Sequence, residues 1–364
     1  EVAKTFNKVK DYRNFFIQSI IEKHDEVVLM SDSRLSDRVL FAVDHPKVAK
    51  VALLHSHHLQ APYQHDSRLV PRNGALVKRI QELDAFVTLT NRQAEEIQSR
   101  FGHRSTIHTV GHPIPTTQTY RNRSTYEPYT AVIVARYEGI KQIPHAIKAF
   151  RSVVKKVPQA RLALWGFGKE ADSYRRLIAK WKLGNHVFVK GFAYDVTAVF
   201  QRAAFSVVTS KSEAFSMAIL ESLAVGTPVI SYHCPYGPID LIQHDKNGIA
   251  VEPNDVKCLA KAMNTLFHNQ KKCETFSREA LKSAEKYSRK TIAQKWVQVF
   301  DEALIQKNRR VKLQNMTASL THLIYVPEEK KLFIQGELDL QQNQSIREMQ
   351  TYFRVQLRMR REKR

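Results

Sequence analysis

The stretch 129–168, YTAVIVARYEGIKQIPHAIKAFRSVVKKVPQARLALWGFG, gives the clearest indication of the fold class. Apolar and β-branched residues predict a buried strand at 129–134 and a second strand at 161–164. Between these strands, four apolar residues follow the i, i+3, i+4, i+7 spacing of an amphipathic helix: Ile143, Ala146, Ile147 and Phe150. A strand, a helix and a strand in this order predict the βαβ unit of a parallel α/β sheet.

The same alternation continues in both directions along the chain. Short apolar runs predict eight further strands, at 26–30, 50–54, 85–89, 105–110, 186–190, 205–209, 228–231 and 248–251. Amphipathic patterns predict further helices at 170–181, 218–225, 257–267 and 289–307. The chain is therefore expected to be an α/β protein built on parallel sheets.

A polar, proline-containing segment near 113–128 is typical of a linker. It divides the chain of 364 residues into an N-terminal domain at 1–115 and a second domain at 116–290. A C-terminal helix at 291–308 and a basic tail at 309–364 follow.

The N-terminal domain is expected to be incomplete. It is short for a doubly wound domain, and its three glycines, Gly74, Gly102 and Gly111, do not follow an early strand. Together with a first residue that is Glu1 and not Met, this predicts missing upstream sequence.

The charge balance predicts an anionic partner. Lys and Arg total 57 against 35 Asp and Glu, which gives a net charge of +22. Nucleic acid, an acidic membrane face or a polyanionic substrate would each fit this charge. The three cysteines, Cys234, Cys258 and Cys273, form no CxxC motif, which favours a reducing, cytoplasmic setting over a zinc module or a disulfide framework. No run approaches the ~18 apolar residues of a spanning helix.

The tail carries two features of its own. Apolar runs at 323–326 and 332–335 flank a polar turn and predict a hairpin. The last 18 residues, 347–364, contain seven basic and two acidic side chains beside an approximate helical apolar stripe. This segment is either a solvated terminus or an amphipathic helix that holds the protein peripherally on an anionic membrane surface.

The segment 210–228, SKSEAFSMAILESLAVGTP, places two carboxylates near the start of a helix. Glu213 is expected at a strand-to-helix junction and Glu221 inside the helix, which places their carboxylates about 80° apart around the axis, because a turn holds 3.6 residues. Free amides and the positive end of the helix dipole around 214–217 favour an anion. The pattern fits a nucleotide-sugar, and it also fits an ordinary solvated helix with two glutamates.

Two cations follow the strand at 129–134. Arg136 and Lys141 lie five residues apart at its carboxyl end, where open α/β sheets bind ligands. Arg as a fork and Lys as a point charge could clamp a diphosphate. The alternative is a pair of solvated basic residues in a basic protein.

Other candidate sites carry weaker signals. Gly166 and Gly168 form half of a dinucleotide fingerprint, but Lys190 lies where an acidic residue is expected, so the pattern indicates a tight turn near a ligand instead. In LLHSHHL, strand alternation would place His55 and His57 on one side and His58 on the other, which argues against a metal site and leaves room for one histidine to reach a substrate. No Asp-x-Asp pair occurs, so no metal is expected and cationic side chains would have to neutralise a diphosphate.

Taken in order, these segments resemble the retaining glycosyltransferases of the two-Rossmann (GT-B) class, which include glycogen synthases and sucrose synthases. The matching features are Arg136 with Lys141, the turn WGFG, the Glu213 and Glu221 pair, and the segments KGF, AVGTPVIS and DKNGIAVEP. LLHSHHL, PIP and YGPIDLI are similar to the bacterial enzymes that α-glycosylate wall teichoic acid, and also to serine-rich-adhesin glycosyltransferases. Family members usually begin with a strand and a glycine-rich loop and carry a β-rich insertion, and this chain lacks both.

The resemblance implies a role for each candidate residue. Arg136 and Lys141 would neutralise the departing diphosphate, Glu213 would contact the donor sugar, and Glu221 would hold the ribose hydroxyls. The donor would also meet the amides of Ser216 and Met217, Gly166 and Lys190, and His58 would lie beside the donor sugar. Ala214 and Ser216 replace glycines common in the family, and Tyr137 replaces an apolar residue.

The resemblance also implies the reaction. Glucose or N-acetylglucosamine would pass from UDP-glucose or UDP-N-acetylglucosamine to a poly(glycerol phosphate) or poly(ribitol phosphate) with retention of configuration. The rival acceptor is Ser or Thr of a serine-rich adhesin. Two hypotheses of a different functional class are a basic nucleic-acid-binding protein and a non-catalytic partner subunit. The sequence shows no RNP-like, zinc-finger or aromatic-basic repeat, so no nucleic acid is expected, and a homo-oligomer remains open.

Overall fold

A computed structural model describes residues 2–59, 67–101, 106–114, 126–309, 316–326 and 331–340. The chain divides into two compact units, 1–307 and 308–364, which are described separately. Within the described residues, no helix combines the length and the apolar character needed to cross a membrane.

The first part of unit 1–307 contains a parallel sheet with strand order β1-β2-β3-β4 in the described residues. Its strands are β1 (Val27–Ser31), β2 (Val48–Leu54), β3 (Ala85–Thr88) and β4 (Thr106–Thr109). The accompanying helices are α1 (Val2–Ser19), α2 (Arg34–Ala42), α3 (Pro71–Lys78) and α4 (Asn91–Phe101). Every residue of β2 is buried, as expected for a central strand of a parallel sheet with both faces covered.

A second parallel sheet follows in the same unit. Its strands are β5 (Glu127–Val134), β6 (Arg161–Trp165), β7 (Val187–Gly191), β8 (Ala203–Val208), β9 (Val229–Tyr232) and β10 (Gly248–Val251). In the described residues their order is β10-β9-β8-β5-β6-β7, the Rossmann order, with its reversal between β5 and β8. The predicted strands are all present, with ends that differ by one or two residues.

Helices cover this second sheet. They are α5 (Ile143–Lys156), α6 (Ala171–Lys180), α7 (Val196–Arg202), α8 (Met217–Ala224), α9 (Gly237–Leu241), α10 (Val256–His268), α11 (Gln270–Glu285) and α12 (Arg289–Asn308). The apolar stripe of α5 is buried, as its spacing predicted, and Phe150 of α5 packs edge-on against Phe267 of α10.

The last long helix returns to the first sheet. Lys307 of α12 donates to Glu26 at 2.8 Å, and His108 of β4 lies 3.5 Å from Glu302 of α12. Val51 of the first sheet belongs to the same apolar cluster as Val299 of α12. One apolar cluster is therefore shared by the two sheets.

Unit 308–364 contains an antiparallel pair, β11 (Met316–Val326) and β12 (Lys331–Leu340), with an irregularity between Leu320 and His322. The predicted hairpin is present with longer strands than its apolar runs indicated. The basic segment 347–364, for which an amphipathic helix or a solvated terminus was expected, lies outside the described residues.

Candidate functional site

A pocket of about 170 Å³ lies where the strand order of the second sheet reverses. The carboxyl ends of β5 and β8 and the start of α8 form its walls. Five of the predicted site residues line it: Arg136, Lys141, Glu213, Ser216 and Met217. This reversal point is the position at which doubly wound sheets bind nucleotides.

An ion pair between Lys141 and Glu213 crosses the pocket. The Lys141 Nζ lies 2.7 Å from Glu213 Oε1, and the two side chains are only 19% and 13% exposed. Ser210 Oγ donates to the same carboxylate oxygen at 2.6 Å, and Thr209 Oγ1 donates to the Lys141 carbonyl at 2.8 Å. These contacts hold the loop that follows β5 against the loop that follows β8. They also fix both charges at the point where the strand order reverses.

Sequence reasoning missed Ser210 and Thr209. Their signal was their place directly before Glu213 at the end of a predicted strand. A third neighbour, Cys234, is buried, and burial together with the charge of Glu213 raises its pKa to about 12. That thiol is therefore not a nucleophile at neutral pH.

Arg136 lies at the rim of the pocket. Its side chain is 67% exposed, and the guanidinium forms an ion pair with Glu138 at 2.7 Å. Tyr137, which follows it, is fully buried and donates to the Leu164 carbonyl at 2.7 Å. Burial raises the pKa of this phenol to about 12. The tyrosine therefore anchors the loop that carries Arg136.

Gly166 supports that loop and does not line the pocket. Its φ is +142°, and a Cβ there would lie 1.9 Å from the Ala135 carbonyl oxygen. Gly168, at φ +147°, approaches the Tyr137 carbonyl in the same way. The glycine turn thus allows the chain after β6 to pack directly on the chain after β5.

The helical angle predicted for Glu213 and Glu221 was wrong. Helix α8 begins at Met217, so Glu213 lies before it, where its backbone forms a bridge with Tyr236. Ser216 precedes the helix with a left-handed φ of 75°. Glu221 lies one turn after Met217 on the same face, and burial raises its pKa. Within the described residues it makes no ion pair, and it does not line the pocket.

Lys190 lies in a different depression. A groove of about 830 Å³ runs over one face of β5, β6 and β7, and Lys190 lines it with Trp165 and Phe188. Phe192 and the exposed Tyr194 stand at the same groove with their rings 5.3 Å apart. The structure therefore does not bring Lys190 to the Lys141 and Glu213 pair.

His58 is also away from the pocket. It is fully buried, with its ring 6.1 Å from the rings of Phe101 and Tyr236. Neither ring nitrogen has a hydrogen-bond partner in the described residues, and burial, with a smaller contribution from Arg100, lowers its pKa to about 4. Strand β2 ends at Leu54, so the alternation predicted for the histidines does not apply.

A different pair of histidines approaches the pocket. His55 stacks on His112 at 5.4 Å, and His112 meets Phe215, the residue before Ser216, edge-on at 5.4 Å. Burial, with His55 beside it, lowers the pKa of His112. The only sequence signal for His112 was its position before the PIP segment. Among the described residues, no three His, Cys, Asp or Glu side chains are grouped to hold a metal ion.

Comparisons with known proteins agree with this architecture. Residues 117–283 match the family described as glycosyl transferases group 1. The poly(glycerol-phosphate) alpha-glucosyltransferase of Bacillus subtilis (strain 168) is 31% identical over 313 residues, which cover 84% of this chain and 46% of that protein. The UDP-N-acetylglucosamine--peptide N-acetylglucosaminyltransferase GtfA subunit of Streptococcus pneumoniae is 24% identical over 234 residues, which cover 61% of this chain and 46% of that protein.

A solved structure shows the same fold. A mutant of S. aureus TarM, in complex with fondaparinux, alpha-GlcNAc-glycerol and UDP, superposes with a TM-score of 0.71 at 21% identity. The match covers 79% of this chain and 58% of that one. The chain thus spans about half the length of the relatives it matches.

Two Rossmann-type sheets with a charged pocket at the switch point of the second define a protein of the two-Rossmann (GT-B) class. Within that class, residues 117–283 form a domain of the glycosyl transferases group 1 family. The family resemblance predicted from the motifs is confirmed.

Proposed function

We propose that this protein is a retaining glycosyltransferase that moves glucose or N-acetylglucosamine from a UDP-sugar to a wall teichoic acid. The observation that carries the proposal is the Lys141 and Glu213 pair, desolvated at the nucleotide-binding position of the second sheet. The likeness to a poly(glycerol-phosphate) alpha-glucosyltransferase over 84% of the chain supports the acceptor class. A net charge of +22 suits a polymer with one negative charge per repeat.

In the proposed reaction, Lys141 and Arg136 neutralise the diphosphate as it leaves. Lys141 exchanges its contact with Glu213 for the phosphate, and Arg136 turns inward from the rim. The freed Glu213 carboxylate accepts hydrogen bonds from the donor sugar. The departing phosphate oxygen takes the proton of the acceptor hydroxyl on the same face of the sugar, so the protein supplies positioning and charge stabilisation.

The remaining donor contacts follow from α8. The amides of Ser216 and Met217 begin this helix and would meet the phosphate or the sugar. Glu221, half-buried and without an ion-pair partner among the described residues, would accept from the ribose hydroxyls. Lys190 and Gly166 do not line this pocket, so they would contact a part of the donor that extends beyond it. His58 would reach the sugar only if Tyr236 or Phe101 moved, because its ring is buried against both.

The test is transfer from labelled UDP-glucose and UDP-N-acetylglucosamine to purified poly(glycerol phosphate) in excess chelator. We expect labelled polymer with α-linked sugar by NMR, since the cations rather than a metal are proposed to neutralise the diphosphate. A strict requirement for Mg²⁺ or Mn²⁺ would contradict the cation clamp, and failure to label the polymer under any condition would contradict the function.

A second candidate acceptor is a Ser/Thr-rich protein. The likeness to a peptide N-acetylglucosaminyltransferase subunit over 61% of the chain favours it. Parallel assays with a purified serine-rich adhesin and with the polymer separate the two, because the donor chemistry is common to both. Labelling of the adhesin alone would replace the teichoic acid proposal.

We also propose that the protein works in the cytoplasm, peripherally on the inner membrane face. The positive charge would be attracted to anionic lipids, at roughly 1 kcal/mol for each basic residue near the surface. Co-sedimentation with anionic vesicles, with and without residues 346–364, tests this. Equal pelleting of both forms would exclude the tail as the anchor.

A further inference from the structure

A basic groove lies along α5 and α10 on the second half of unit 1–307. It consists of two adjoining depressions of about 860 and 670 Å³ that share Ser152 and Lys257. Seven Lys and Arg side chains line it: Lys148, Arg151, Lys155, Lys156, Lys182, Lys257 and Lys261. We call this surface the α5–α10 groove.

The protein places a single carboxylate in the described lining of the α5–α10 groove, that of Asp255, and its charge acts on Lys257. All seven Lys and Arg side chains are exposed, and none forms an ion pair with another described residue. Basic residues elsewhere on the surface do so, as in Lys272 with Asp245 at 2.9 Å and Lys282 with Glu279 at 2.7 Å. The one carboxylate in the described lining, Asp255, caps α10 by accepting from the Cys258 amide at 2.9 Å.

The spacing of these charges opposes helix formation. Arg151 and Lys155 on α5, and Lys257 and Lys261 on α10, are like-charge pairs at i, i+4, an arrangement that destabilises a helix. Since α5 and α10 also pack side by side, the positive charges of one helix repel those of the other. A ligand with repeated negative charges would relieve this repulsion along the whole groove.

The groove begins beside the candidate active site. Asn254 lines the groove and accepts a hydrogen bond from Gln142 Nε2 at 3.0 Å. Gln142 directly follows Lys141, and α5 starts at the next residue and leads away from the pocket. A flexible chain that reaches the pocket could therefore continue along the groove.

We propose that the α5–α10 groove binds the phosphodiester backbone of a long polyol-phosphate acceptor at a distance from its reacting hydroxyl. This inference rests on the proposed function and deepens it. The groove would retain the polymer between transfers and favour long acceptors over short ones.

The lining favours a polymer over a membrane or a nucleic acid. None of the exposed large apolar side chains of the described residues lies in the groove, so it has nothing to insert into a lipid interface. Its one Trp, Tyr or Phe among the described lining residues is Trp181, whose ring is already covered by Arg151 at 5.1 Å. Binding of single-stranded nucleic acid usually needs free aromatic faces for base stacking.

The experiment compares two triple charge reversals in the full chain. The groove variant changes three exposed lysines of α5 and α10: Lys155→Glu, Lys156→Glu and Lys261→Glu. The control makes the same change in net charge at exposed residues of α11 and α12: Lys271→Glu, Arg278→Glu and Lys290→Glu. Binding of long poly(glycerol phosphate) is measured by calorimetry without UDP-sugar over a range of salt concentrations.

We expect the Kd of the long polymer to rise at least tenfold in the groove variant and less than twofold in the control. The salt dependence of Kd should become shallower in the groove variant, because fewer counterions are released on binding. The kcat/KM for a short fragment of the same polymer and the affinity for UDP should match the parent in both variants. If the groove variant does not fold, Gln at the same three positions replaces Glu.

Equal affinity of the groove and control variants for the long polymer would overturn the proposal. A loss of binding to phosphatidylglycerol vesicles or to a random oligonucleotide, with polymer binding retained, would overturn it in favour of those partners. The polymer is bound without turnover in this experiment. A parent that binds it but transfers no sugar would therefore contradict the proposed function and leave the groove proposal supported.

Discussion

The phenol of Tyr236 donates a hydrogen bond to Glu96, which joins a loop of the second sheet to α4 of the first. Both residues are buried, and Arg100 contacts the other oxygen of Glu96 at 3.1 Å. Tyr236 also pairs through its backbone with Glu213 of the pocket. The hydrogen bond that joins the two halves is therefore separated from the proposed donor site only by the backbone bridge between Tyr236 and Glu213.

Replacing Tyr236 with Phe should lower the free energy of unfolding by about 1–3 kcal/mol, because a buried carboxylate oxygen loses its donor. Urea unfolding followed by fluorescence measures this. Tyr194→Phe is the matched control, since that side chain is 97% exposed. Equal stability of the two variants would mean that the hydrogen bond contributes nothing.

Lys141→Ala and Arg136→Ala should each cost at least about 2 kcal/mol of transition-state stabilisation, seen as a loss in kcat/KM. Lys141→Ala should in addition lower thermal stability, because it leaves the largely buried Glu213 without its ion partner. Arg136→Ala should not, since its guanidinium is largely exposed. Near-normal kcat/KM in both variants would remove these cations from the mechanism.

Glu213→Gln should mainly reduce kcat, because its proposed contact is with the sugar as charge develops at the reacting carbon. Glu221→Gln should mainly weaken UDP-sugar binding, because the ribose is remote from the reacting bond. Steady-state kinetics together with calorimetric titration of UDP separate the two effects. The reverse pattern would show that the two roles are exchanged.

His58 should make folding stability depend on pH. Its folded pKa of about 4 lies below the ordinary value of 6.5, so the unfolded chain binds the proton more readily between these values. Stability from the neutral ring is therefore present above pH 6.5 and is lost as pH falls toward 4, by about 3 kcal/mol in total.

His58→Phe should flatten this part of the pH profile, measured by urea unfolding from pH 4 to pH 7. Asp240, whose pKa burial raises to about 6, acts in the opposite direction, but it does so equally in parent and variant. The exposed His233→Gln variant should follow the parent. A profile of His58→Phe that is as steep as the parent's would contradict a buried neutral ring.

Gly166→Ala should destabilise the protein by at least about 2 kcal/mol, because a Cβ at this φ collides with the Ala135 carbonyl. Gly184→Ala is the control, since a Cβ there would meet no atom within 4 Å. Thermal unfolding compares the two. We also expect Gly166→Ala to lose affinity for UDP, because the displaced backbone leads directly to Arg136.

Local patterns located the strands and some of the helices, but they missed α1 to α4, α7 and α11. The β-branched runs located the strands of both sheets, and the apolar spacing of α5 located its buried face. The meeting of Arg136, Lys141 and Glu213 was also predictable, because the carboxyl ends of neighbouring parallel strands share one edge of a sheet.

Local patterns were insufficient where a residue's position depended on more than its own element. Glu213 was expected at a strand-to-helix junction with a helical angle to Glu221, but its backbone is held before α8 by pairing with Tyr236, so that angle does not apply. His58 was predicted to face a substrate, and packing from Phe101 and Tyr236 buries it. Gly166 was predicted to lie near the donor, and the structure adds that it allows the close approach of two loops.

The amino-acid sequence was enough to establish the α/β class, the strand positions and the charged residues of the pocket, because these follow from short-range periodicity and from the geometry common to parallel sheets. The tertiary fold was needed for the contact of Tyr236 with Glu96, for the burial of His58 and for the joining of basic residues from α5 and α10 into one groove. Each of these brings together segments that are distant in the chain. Their proximity depends on how whole elements pack, which no local pattern encodes.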